Sequence, residues 1–206
     1  MDKEQFSLQE YFYIGYIYLI ILGIVSDALF YGVFRVSYLN YTTILDALIS
    51  PISLLTNNWK TSIILIVFLG LAYLYFTKLM PKIYQKLRVK KWYAKIYDIE
   101  KWDKRYEEMV KKDGVIKLMA TMFFLLFVSM RLGMGIGTKH KIETKELLPN
   151  YTLVFKDNST LDVMKVGQNS MYFFYFIPGE TEITVTPISD NLKQIKRLKK
   201  DEKVVL

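Results

Sequence analysis

The chain has 206 residues, of which 52% are hydrophobic and 16% aromatic, and 28 Lys and Arg against 20 Asp and Glu give it a formal charge of +8. It has no cysteine, which excludes disulfides, thiolate metal sites and thiol nucleophiles. Its apolar residues form blocks too long for the strands or amphipathic helices of a soluble domain this size, so lipid is their simplest solvent. The basic excess then reads as loop charge beside a membrane, and direct nucleic-acid binding is not expected.

The first ten residues, MDKEQFSLQE, set Lys3 against Asp2, Glu4 and Glu10. That is the wrong sign for the start of a signal peptide, so the first apolar block is expected to be retained. This block, residues 11–34, is long enough to cross a hydrocarbon core of about 30 Å at about 1.5 Å per residue, and it contains Asp27. Residues 42–55, TTILDALISPISLL, are short for a crossing and hold Asp46 and Pro51. They predict a short re-entrant or interfacial hairpin, with a thin fourth span as the alternative. Residues 61–80 predict a second long span, with Lys78 placed to snorkel and Pro81 to stop or redirect the helix.

Residues 81–113 hold 11 basic and 6 acidic residues, and apolar residues from Ile83 to Met109 recur mostly at three- and four-residue steps. As one straight helix this segment would end nearly 50 Å from its start at about 1.5 Å per residue. Lying along the headgroups, or folding into a hairpin near Asp98, brings both of its ends to the membrane. Lys82, Lys86, Arg88, Lys90, Lys91, Trp92 and Trp102 are its candidate contacts with the membrane interface or a partner. Residues 115–136 predict the third span, with Lys117 and Arg131 toward its ends, and Gly133, Gly135 and Gly137 are expected to terminate it.

Beyond Thr138 the pattern changes to short alternating runs between turn residues. Strands are predicted over 151–156, 160–166, 171–177 and 181–186, with Asp157-Asn158 and Pro178-Gly179 as turns and the basic tail as a fifth strand or a short helix. The fold class expected is therefore a membrane α-helical bundle, residues 1–137, with a small β-rich domain, residues 138–206, that is SH3-like or Sm-like in layout. Basic residues crowd both ends of 81–113, which places that segment in the cytoplasm and the β-rich domain on the opposite face.

Three charges, Asp27, Asp46 and Arg131, are expected inside the bundle. In the three-span arrangement Asp27 and Arg131 lie at similar depth, about 24 Å along parallel helices at about 1.5 Å per residue. They either pair or reach the interfaces separately. His140 stands alone among lysines and reads as a solvated juxtamembrane residue; no metal, cofactor or catalytic site is expected, because no nucleophile-and-base, HExxH, P-loop or GxSxG pattern occurs. MYFFYF, residues 171–176, is apolar on both faces. Either it is sandwiched within the small β-domain, or Tyr172, Phe174 and Phe176 form a subunit or ligand interface.

Two functions fit this composition: a non-enzymatic homo-oligomeric sensor or pore-like component, and a membrane anchor that docks a soluble effector. The layout of several spans, the basic segment 82–112 and a strand-rich C-terminus resembles compact bacterial membrane subunits of anti-phage defence systems, of the Kiwa membrane component type. That resemblance implies an oligomer in the bacterial inner membrane that detects phage-induced membrane change. It also implies a soluble cytoplasmic nucleic-acid-binding partner met through residues 82–112.

Overall fold

In the computed structural model of the chain, which describes residues 7–57, 59–90, 93, 98–110, 112–180 and 182–198 (the side chains of 102, 109, 110, 112 and 113 excepted), the first element is helix α1, Leu8–Gly32. Ser7 caps it, its hydroxyl accepting from the Glu10 N–H while the Glu10 carboxylate accepts from the Ser7 N–H at 2.6 Å. After a 3₁₀ turn at Tyr38–Tyr41 come α2 (Ile44–Asn57), α3 (Trp59–Leu74), a π-turn (Tyr75–Leu79), α4 (Met80–Arg88), α5 (Ile99–Val110) and α6 (Lys112–Glu143). Leu8–Gly32, Trp59–Arg88 and Gly114–Glu143 are each long and apolar enough to cross a membrane. Five strands follow: β1 (Tyr151–Phe155), β2 (Thr160–Gln168), β3 (Tyr172–Phe176), β4 (Ile183–Pro187) and β5 (Leu192–Arg197). The chain gathers into two compact units, Met1–Ile52 with Val128–Leu206, and Ser53–Phe127.

In the first unit the strands form one antiparallel sheet in the order β4-β3-β2-β1-β5. The basic tail supplies the fifth strand, after a single helical turn, α7 (Ile188–Asn191). The two expected turns form for the expected reasons. Asn158 takes φ 66° and Gly179 φ 90°, left-handed conformations that Asn and Gly tolerate. A bulge between Lys165 and Gly167 bends β2. Strand β3 is covered on both faces: Phe173 and Tyr175 meet Leu153, Val163 and Leu192, while Phe174 and Phe176 meet Phe30, Tyr31, Phe34 and Tyr38 from α1 and the loop after it.

Two sequence expectations about helix ends are overturned. Gly133, Gly135 and Gly137 do not end α6, which continues to Glu143. Each mid-helix glycine costs about 1 kcal/mol relative to alanine, but Gly135 lets α6 approach α1 closely: a Cβ there would stand 3.1 Å from the Phe30 carbonyl and 3.2 Å from Val33, so both would have to shift. The true stop is Lys145, at φ 57°, with the Lys145 N–H bonded to Ile142 O (3.1 Å) and the Glu146 N–H to Lys141 O (2.9 Å). Helix α1 ends in the same way at Arg35, φ 62°, with the Arg35 N–H on Gly32 O (2.9 Å) and the Val36 N–H on Tyr31 O (3.1 Å). Both are Schellman endings with a basic residue in the position glycine usually fills, which adds positive charge beside the negative end of the helix dipole.

In the second unit Pro81 does not stop the helix that begins at Trp59. Proline has no N–H for the carbonyl four residues back and crowds it. Here the preceding turn widens into the π-turn, with the Met80 N–H reaching Tyr75 O. Helices α4 and α5 lie side by side, because Tyr84 stacks on Tyr106 at 4.5 Å and Asp103 accepts from the Tyr84 hydroxyl at 2.5 Å and from Arg88 at 2.8 Å. Of the two arrangements expected for residues 81–113, this is the folded-back one.

Pro51 acts differently in α2. It leaves the Ala47 carbonyl without its intrahelical donor, and that carbonyl rests against Gly23 of α1, so closely that a Cβ on Gly23 would collide with it. Gly15, eight residues earlier, has open space around it. Gly23→Ala is therefore expected to destabilise by about 1–3 kcal/mol through overpacking, and Gly15→Ala to be neutral or to stabilise by up to about 1 kcal/mol. Thermal unfolding of the two variants in one detergent checks the contrast, and equal midpoints would contradict this packing.

Candidate functional site

The features that set this chain apart chemically converge on the last two turns of α1. Asp27 is 2% exposed at its side chain and meets Arg131 of α6, 13% exposed, through Nε at 3.0 Å and a terminal nitrogen at 2.7 Å, both on Oδ1. One turn on, Phe30 lies under the same guanidinium, 3.8 Å from ring centroid to Cζ, and its carbonyl packs on Gly135. A planar cation with its edge on a carboxylate and its face on a ring is satisfied in two directions at once. The contacts advance together along both helices, from 27 with 131 to 30 with 135, so α1 and α6 run parallel here. Of the two sequence readings for these charges, the geometry is that of the pair. Ser26, fully buried beside it, gives its hydroxyl to the Gly23 carbonyl at 3.2 Å.

The next residue carries the contact into the sheet. Tyr31 stacks flat on Tyr38, 4.5 Å between centroids and 2° between planes, and meets Phe174 at 4.6 Å. Its hydroxyl lies against Gly167, at the bulge in β2, where no larger residue fits. Burial foremost, and then the negative charge of Asp27, pushes the Tyr38 phenol up to about 12, so it stays neutral at working pH. Consecutive side chains, Phe30 and Tyr31, thus join a buried ion pair to the aromatic face of the β-domain.

A second joint ties the β2–β3 turn to the start of α2. The Asn169 side chain donates to the Tyr41 carbonyl at 2.7 Å and accepts from the Tyr172 N–H at 2.7 Å. Ser170 donates through its N–H to Asp46 Oδ1 and through its hydroxyl to Asp46 Oδ2, each at 3.0 Å. Asp46 also closes a capping box at the head of α2, accepting from the Thr43 N–H at 3.1 Å and the Thr43 hydroxyl at 2.7 Å.

These placements revise several sequence expectations. Asp46 is a helix cap held by the β2–β3 turn and not a charge turned into the bundle, because a carboxylate at a helix start finds unpaired N–H groups close by. Phe174 and Phe176 are 0% and 4% exposed, and they and Tyr172 are covered by the chain's own α1 and loop, so they are not an open subunit or ligand surface. On the hairpin Lys82, Lys86 and Lys90 are exposed, and Arg88 is half-exposed with its guanidinium on Asp103. Lys91 and Trp92 lie outside the described residues, as does the side chain of Trp102. His140 is exposed on the last turn of α6. Among the described residues no three His, Cys, Asp or Glu group as metal ligands. The sequence reading missed Phe30, Tyr31, Tyr38, Gly167, Asn169 and Ser170. Only Gly-Gln-Asn-Ser carried a signal, that of a turn.

Comparison with protein-family models, curated proteins and solved structures finds no match to this chain.

Two outcomes follow from the site. Neutralising one partner strands the other, so Asp27→Asn or Arg131→Met alone is expected to lose about 3–5 kcal/mol. Exchanging the two charges should recover much of that loss in folded yield by size-exclusion chromatography; a swap no better than the single variants would contradict the pair. At Asp46, burial opposes ionisation, but the hydrogen bonds from Thr43 and Ser170 outweigh it and hold the carboxyl below its ordinary value. A lowered folded pKa means a contribution present above about pH 4 and lost as the pH falls through the folded value. Protection of the Ser170 amide from hydrogen exchange should therefore hold from neutral pH down to about 5 and fall below about 4.

Proposed function

We propose that this chain is a non-enzymatic, multi-pass protein of the bacterial inner membrane, a homo-oligomer that senses membrane change. In this reading residues 81–113 face the cytoplasm and the β-domain lies on the opposite side. The observation that carries it is the Asp27–Arg131 pair, buried between two apolar helices one turn from the residues that seat the sheet. Such a pair is stable only at one relative position of the helices. A change in bilayer thickness or lateral pressure that slides α1 against α6 breaks the pair and unseats Tyr31 from the sheet in one step.

The strand order, with a one-turn helix before a fifth strand that returns to β1, supports an SH3-like barrel as the sheet's fold. The basic residues crowding both ends of 81–113 support a cytoplasmic hairpin. The resemblance to Kiwa-type membrane subunits adds anti-phage defence as the setting. A second reading, a docking platform for a soluble effector, is favoured by the exposed Lys82, Lys86 and Lys90.

Dye-loaded liposomes holding the purified protein separate the two readings. The sensor reading expects release under bilayer thinning or osmotic stretch to rise in Asp27→Asn relative to the unaltered chain. Identical release in both proteins favours the platform instead. Single cysteines at Lys86 and Lys193 should react with an impermeant maleimide from opposite sides of the membrane, and labelling from one side would overturn the topology.

A further inference from the structure

The sheet order leaves β4 and β5 as edges, each with a row of backbone N–H and C=O groups that no strand among the described residues takes up. The two edges differ in charge. Strand β5 exposes Lys193, Lys196 and Arg197, which repel a second β5. Strand β4 has no charged residue and is approached through Glu180 and Glu182, both exposed. Among the described residues neither Glu182 nor Arg197 joins an ion pair within the chain.

Run antiparallel, β4 of one copy and β5 of another can be set with Glu182 opposite Arg197, which puts Thr184 opposite Ile195; the β5 bulge at Lys193 ends the regular run beyond that. The faces also match. The Thr186 hydroxyl meets that of Tyr175 at 3.0 Å, and Tyr175 and Ile195 belong to one core. Thr184, two residues before Thr186, shares its face.

We propose that the β4 edge docks a second copy of this chain through its β5 edge, a head-to-tail contact in which Glu182 pairs with Arg197 of the neighbour. The proposal rests on the membrane oligomer described above. Copies that share one bilayer in one orientation are related by rotation about its normal, so the repeated contact closes as a ring and does not grow as a filament.

The chain has no cysteine, which makes the test clean. Opposed residues on paired strands lie about 4.5–5.5 Å apart at Cα, within the about 4.4–6.8 Å that a disulfide spans. Glu182→Cys with Arg197→Cys, oxidised in native membranes, is expected to give a ladder of linked species ending at a fixed multiple, and each single variant none. Glu182→Lys should weaken association by up to about fivefold, and adding Arg197→Glu should restore it. A dimer from Glu182→Cys alone would replace this contact with a β4–β4 one and overturn the proposal. If the protein has an oligomeric mass in detergent but yields no ladder, the edge contact falls and the oligomer stands. If it is monomeric in both detergent and bilayer, both fall.

Discussion

A carboxylate and a guanidinium in apolar surroundings are stable only together. Asp27 and Arg131 therefore fix how α1 and α6 lie along each other, to within the reach of two hydrogen bonds on one oxygen. Much else in the first unit depends on that register. It brings the Phe30 ring under the guanidinium, sets Gly135 close against the Phe30 carbonyl, and aims Tyr31 at the bulge of β2. Apolar packing alone would tolerate a slide of one turn between two uniformly apolar helices; the pair does not.

The β-domain depends on the helices in turn. A five-strand sheet of this size has one face to bury in its own core, and Leu153, Val163, Phe173, Tyr175 and Leu192 do that. The other face of β2, β3 and β4 is as apolar, and would be an exposed aromatic patch without α1 and the loop to Tyr41. Hydrogen bonds from Asn169 and Ser170 to that loop and to Asp46 then set the rotation of the sheet on its seat. The sheet is therefore built into the helical part and not tethered beside it.

The elements were legible where composition changes sharply. Three long apolar blocks, the Asp157-Asn158 and Pro178-Gly179 turns, and alternation in the C-terminal third predicted three long helices and the first four strands; for the basic tail they left strand and helix both open. Helix ends were not legible, because the residues that stop α1 and α6 are Arg35 and Lys145, whose left-handed backbone has no mark in their side chains, while of the three glycines that looked like a stop Gly135 packs closely on α1 and Gly133 and Gly137 face open space. The charged pair could be named from the sequence, since ionisable residues are scarce in such blocks. The aromatic residues around it could not. When nearly every residue of a helix is apolar, periodicity no longer distinguishes the face that meets protein from the face that meets lipid. The role of Asp46 was hidden because its partner, Ser170, is 124 residues away.

The separation of 104 residues between Asp27 and Arg131 has a consequence for synthesis. At about 5–20 residues per second, the first helix leaves the ribosome roughly 5–20 s before its counter-charge does. During that interval the carboxylate needs water, a proton or a borrowed cation, so α1 cannot take its final buried setting until α6 is made. The third long helix then completes the neutral unit, and the sheet, translated last, closes over a joint already made. The first helix to be made thus takes its final setting only when α6 arrives, and the sheet settles after both.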